Sequence, residues 1–150
     1  MKSTFFTFVV ILIVSSSLFS QDYVKVDSIV RNFSSSFSNP DKLAELINEN
    51  FNVPEEKARA IYTWIALNID YDVKALNSPS KGTAFSYSSE EEKLEKERKI
   101  FVNIAKSTIK KNKAVCNGYA TLYKYLCDLV SLECKIITGS TKRKEWDIEK

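Results

Sequence analysis

The chain has 150 residues, with 22 Lys and Arg against 19 Asp and Glu, a formal net charge of +3, and no histidine. Without a basic stripe interleaved with aromatics, that balance argues against a nucleic-acid binder. Three glycines and three prolines are too few for a disordered or all-β chain and suit a helix-rich domain with its own core.

In chain order, residues 1–20 read as an export signal: Lys2 is a minimal positive start, Phe5 to Val14 a short apolar run, and Ser15 to Ser20 the small residues before a mature start at Gln21. The apolar run is well short of the roughly 20 residues that span a bilayer. No cysteine lies near the cut to take a lipid. The expected location is therefore periplasmic or extracellular, with no stable membrane insertion after cleavage.

Val26, Ile29, Val30, Phe33 and Phe37 recur at helical spacing, which predicts a helix from Asp22 to about Phe37, loosened at its end by Ser34 to Ser36. Asn39-Pro40 reads as an N-cap followed by proline at the first helical position, opening a short helix with Leu43, Leu46 and Ile47. Pro54-Glu55-Glu56 opens the next helix, with carboxylates at its positive end. Its stripe is Ala58, Ile61, Tyr62, Ile65 and Ile69, widened by Trp64 and Leu67, and it ends near Asp70-Tyr71-Asp72. Val73 to Tyr87 reads as the one long loop.

Ser89 and Glu92 match a capping box before a long helix. Glu92 with Lys96, and Glu95 with Lys99, are charge pairs in the favourable order, so this run is a solvated face. Lys110 to Lys113 stop the helix. A further helix, from about Val115 to Val130, carries Tyr119, Ala120, Tyr123, Leu126, Cys127 and Val130 on one side, a broad apolar face suited to a sheet. Leu132 to Thr138 is β-branched and alternating enough to be a strand, ended by Gly139. A lone strand leaves its edges unpaired, and the expectation is a marginal, aggregation-prone chain.

The chemistry concentrates at Cys116. A thiol is nucleophilic as the thiolate, which a helix N-terminus or a neighbouring imidazolium favours. Cys116 has the first by position, and the unpaired N–H groups of the first turn could face an oxyanion. Gly118 is read as leaving room for a substrate backbone. The second device needs histidine, and none is encoded. Cys127 and Cys134 read as small buried hydrophobes, although a disulfide between them stays open. Cys116 and Cys127 would lie roughly 16 Å apart along one helix, too far to bond. No metal site is expected, with histidine missing and no metal-ligand cysteine spacing.

The string Ala114-Val115-Cys116-Asn117-Gly118-Tyr119-Ala120 resembles the nucleophile motif of the transglutaminase-like superfamily. Trp64-Ile65 and Asn68-Ile69-Asp70-Tyr71-Asp72 resemble a segment that this family shows upstream, and Lys135 to Gly139 resembles the strand that follows its cysteine helix. The chain departs from the family in having Ala114, and Ser131 in the turn, where glycine is common. The resemblance implies an α+β, papain-like fold. Here it would be the helix-rich N-terminal part with only the first core strand present, divided as signal 1–20, helical extension 21–53 and partial domain 54–150.

By the same resemblance Cys116 is the catalytic nucleophile, forming a thioester with a protein or peptide acyl donor that an amine or water resolves, without a cofactor. The family's histidine and aspartate lie on later strands, and neither role passes to Asp147 beside Trp146. The preferred expectation is the first part of a longer exported protein. The alternative is a non-catalytic exported helical module that binds a partner around Cys116. A redox role is disfavoured because there is no C-x-x-C.

Overall fold

The computed structural model describes residues 23–78 and 86–139. The expected export signal, part of the loop before Ser89 and the polar stretch from residue 140 lie outside the described residues. The elements are α1 (Tyr23–Val30), α2 (Pro40–Asn50), α3 (Pro54–Asn68), β1 (Asp70–Tyr71), α4 (Val73–Leu76), α5 (Glu90–Lys111), β2 (Lys113–Ala114) and α6 (Cys116–Leu129). This is a helix-rich α+β fold, in which α6 is surrounded by α5, α3 and α2, and α1 closes over α3.

Several starts form as their residues dictate. Asn39 sits extended before α2, and its side-chain oxygen accepts the Asp41 N–H, with Pro40 at the first helical position. Ser89 Oγ accepts the Glu92 N–H at 3.2 Å, while the Glu92 carboxylate reaches back one residue further than a capping box requires, to the Ser88 N–H at 2.7 Å. Both expected charge pairs on α5, Glu92–Lys96 and Glu95–Lys99, form at 2.7 Å.

The core is one cluster built on Trp64, Leu43, Ile47, Ile61, Ile109, Leu122 and Leu126. Trp64 is fully buried, donates its indole N–H to the Ser34 carbonyl at 2.9 Å and packs on Phe37. Asp27 on α1 accepts both the Arg59 guanidinium, at 2.9 and 2.7 Å, and the Thr63 hydroxyl, at 2.7 Å, which ties α1 to α3.

Four expectations are corrected. The first helix ends at Val30 rather than near Phe37. The N–H groups of Asn32 and Phe33 close short turns there, and Ser34 bonds to the backbone of Ser36, so local bonds replace helical ones. Phe33 and Phe37 still pack on the core. The loop after Asp72 begins with a helical turn, α4, because the Asp72 carboxylate accepts the Ala75 N–H at 3.0 Å.

Leu132 to Thr138 is not a strand. A strand exists by its ladder, and this segment has no pairing partner among the described residues. Its β-branched composition records fitness for a pleated surface rather than a backbone preference. Leu132 and Cys134 pack against the core, whereas Ile137 is 93% exposed. The strands that do form are β1 and β2, a parallel pair with Asp70 opposite Lys113 and Tyr71 opposite Ala114.

Finally, α6 packs on helices among the described residues, and its buried face is rotated from the one expected. Gly118, Thr121 and Leu122 are buried with Leu126 and Cys127, while Tyr119, Ala120 and Tyr123 are half-buried.

Candidate active site

The approach to Cys116 is fixed from both sides. Chain leaving α3 and chain leaving α5 are stitched together: the Asp70 N–H donates to the Asn112 carbonyl at 2.9 Å and the Asp72 N–H to the Ala114 carbonyl at 2.8 Å. Asn112 turns the chain out of α5 in the left-handed region, φ 49°, a conformation asparagine tolerates. Its side chain donates to the Ser35 carbonyl at 2.9 Å. Val115 is extended, and Cys116 is the first residue of α6 and exposed.

No side chain caps this helix. The N–H groups of Gly118 and Tyr119 both donate to the Val115 carbonyl, at 2.8 and 3.3 Å. Those of Cys116 and Asn117 have no partner among the described residues. Two donors therefore stand open beside the thiol.

Gly118 has a different use from the one its position suggests. A Cβ built there would lie 2.5 Å from the Ala114 Cβ and 2.8 Å from Thr108 Oγ1. The missing side chain lets the start of α6 press against α5 and β2, and that contact holds Cys116 in place.

Tyr119, one turn after Cys116, donates its hydroxyl to the Ile69 carbonyl and stacks on Tyr71 with ring centroids 6.1 Å apart. Burial, followed by the nearby Asp70 and Tyr71, pushes its phenol above the usual tyrosine range, so it stays a protonated donor. The Trp64–Asp72 segment is thereby anchored to the cysteine helix: Trp64 in the core, Ile69 under Tyr119, Asp70 and Tyr71 in β1, and Asp72 capping α4.

Two hollows flank the start of α6. A cleft of about 510 Å³ between α5, β2 and α6 is lined by Asp72, Asn103, Ser107, Lys111, Lys113 and Asn117, with apolar side chains between them. An apolar groove of about 340 Å³ runs between Tyr62, Ile65 and Ala66 of α3 and Tyr119, Ala120 and Tyr123 of α6. Tyr119 and Ala120 follow Cys116 by three and four positions, so the groove shares the thiol's face of the helix.

The three cysteines divide sharply, with all three thiols free. Burial, then the neighbouring Cys134, pushes the Cys127 thiol up to about 12, which keeps it protonated at rest and shielded from reagents in solvent. Cys134 is half-buried. No group of residues among those described could hold a metal ion, and no described helix is long and apolar enough to cross a membrane.

A sequence model of the transglutaminase-like superfamily matches residues 41–149, most of the chain. The chain belongs to that superfamily. Two curated relatives are similar to this transglutaminase-like chain. The human kyphoscoliosis peptidase is 26% identical over 128 residues, 85% of this chain and 16% of that protein. The mouse kyphoscoliosis peptidase is 29% identical over 87 residues, 58% of this chain and 10% of that protein. The chain thus spans under a fifth of the length of either relative. No solved structure matches it.

Sequence reasoning selected Cys116 and the upstream segment but missed what joins them. The Tyr119 hydroxyl and the β1–β2 pair make that join. A two-residue parallel ladder carries no periodicity to read, and a tyrosine one turn after the cysteine does not say which carbonyl, 50 residues upstream, its hydroxyl will meet.

Proposed function

We propose that Cys116 is the nucleophile of a thioester-forming acyl-transfer site that takes a protein or peptide as acyl donor, in a chain exported through residues 1–20. The thiolate attacks the amide carbonyl, the C–N bond breaks, the amine leaves with a proton, and an amine or water then resolves the thioester. The observation that carries this reading is an exposed thiol at the first position of an uncapped helix, beside the open N–H groups of Cys116 and Asn117. Such donors suit an oxyanion forming on the attacked carbonyl. Membership of the superfamily supports acyl transfer, and the similarity to two proteins named as peptidases favours hydrolysis.

These 150 residues encode no histidine. A positioned base contributes about 10²–10⁴-fold in this chemistry, so the chain alone should acylate from an activated ester but not turn over amides efficiently. Incubation with p-nitrophenyl acetate followed by peptide mass mapping tests this. The acetyl group is expected on Cys116 first, and Cys116→Ala should remove the fast phase. Acetylation of Cys127 or Cys134 ahead of Cys116 would overturn the assignment. Efficient amide cleavage abolished by Cys116→Ala would keep the nucleophile and show that another group of this chain acts as base.

The second reading, a non-catalytic binding module, draws on the apolar groove beside Cys116. It would gain if the native thiol acylated no faster than an unfolded one.

A further inference from the structure

We infer that Cys127 and Cys134 are a disulfide-forming pair, oxidised by exchange with a low-molecular-weight disulfide such as oxidised glutathione, and that the bond clamps the segment after α6 onto that helix. The inference is independent of Cys116 chemistry and rests on how α6 ends. Ser131 adopts the left-handed region, φ 61°. The N–H of Leu132 then donates to the Cys127 carbonyl at 2.8 Å and that of Ser131 to the Asp128 carbonyl at 3.3 Å. This paired closure turns the chain back along the helix it has just left. Leu132 and Cys134 consequently pack on the core cluster to which Cys127 belongs, which brings Cys134 back beside the last turn of α6. Two free thiols thus belong to one packed region, one buried and one half-buried, with no metal-ligand cluster among the described residues to explain them.

The order of events follows from their burial. Cys134, the more accessible, attacks as thiolate one sulfur of glutathione disulfide, forms a mixed disulfide and releases one glutathione thiolate, which takes up a proton. Cys127 cannot be attacked readily from solvent, but it is already beside the Cys134 sulfur. It gives its proton to solvent, attacks that sulfur, and the second glutathione leaves as thiolate. Two protein thiols lose two electrons and two protons, and one glutathione disulfide becomes two glutathione thiols. Seven residues beyond Cys127, the bond holds a segment that has no ladder of its own. A short loop closed in a conformation already native gains stability by restricting the unfolded chain.

The test uses the full chain carrying Cys116→Ala, which removes the exposed thiol that glutathione would otherwise cap. The protein is incubated with oxidised glutathione, then denatured, treated with N-ethylmaleimide and weighed intact. The expected product is a monomer lighter by two hydrogens, with no maleimide and no glutathione attached, that melts several degrees above the reduced form and reverts with dithiothreitol. Adding Cys134→Ser should abolish both the mass change and the shift in melting. Recovery with two maleimides, with glutathione retained on Cys134, or as a disulfide-linked dimer would overturn the pair. A disulfide that forms without raising the melting temperature would overturn its role as a clamp.

Discussion

Ser131 holds a backbone conformation that costs an L-residue roughly 1–2 kcal/mol. It does so because the turn out of α6 requires it: the Leu132 and Ser131 N–H groups reach back to Cys127 and Asp128 only from that geometry. Glycine carries no such cost, although it gives up more freedom on folding. Ser131→Gly should therefore stabilise the chain by about 1 kcal/mol, read as a higher urea midpoint with an unchanged slope. A lower midpoint would mean that the serine side chain contributes something its exposed position does not suggest. Asn112 solves the same problem at the end of α5 with a residue that tolerates φ 49° and, in addition, donates to Ser35.

Among elements, the decisive contact is between α5 and the start of α6. Two helices meet where Gly118 faces Ala114 and Thr108, so closely that a methyl group has no room. Gly118→Ala must push α6 away from α5 or distort its first turn, which should cost about 1–3 kcal/mol. Circular dichroism melting would register the loss. The same variant should change the alkylation rate of Cys116 two residues away, because the glycine positions the thiol through the first turn. An unchanged melting temperature and an unchanged rate would show that Thr108 and Ala114 relax freely. The predicted strand after α6 belongs to this scale too. Its composition is right, but a strand is a relation between two segments, and Leu132 to Thr138 has no second segment among those described.

For the whole molecule, the Asp27 carboxylate is a polar tie between α1 and the rest, beside the buried Val26 and Val30. The Arg59 guanidinium, then the Thr63 hydroxyl, hold it down from 3.8 to about 2. A carboxyl depressed on folding adds stability that is complete above the unfolded value and is lost as pH falls through the folded one. The chain should accordingly lose stability as pH falls from about 4 to about 2, and α1 should release from α3 in that window. Asp27→Asn should be less stable at neutral pH and show a shallower fall in urea midpoint across the acid range. A variant with the same acid slope as the parent would place the acid sensitivity elsewhere. Both partners are partly exposed, at 34% for Arg59 and 23% for Asp27, so the effect is screened by solvent.

Local chemistry was legible in the amino-acid sequence because it depends on near neighbours: the caps at Asn39 and Ser89, the pairs along α5, and a cysteine opening a helix after Val115. The two segments that mark the superfamily were legible for the same reason, since each is a short string of residue types. What the tertiary structure decided were relations between residues far apart in the chain. Tyr119 meets Ile69, Asp27 meets Arg59, Asp70 pairs beside Lys113, and Gly118 fits against Thr108. None has a period or a spacing, because each exists only once α3, α5 and α6 are packed. That packing also turned Leu122 inward and left Tyr119, Ala120 and Tyr123 beside an open groove. A stripe of apolar residues states that a helix has an inner face, and only its neighbours fix which way that face points.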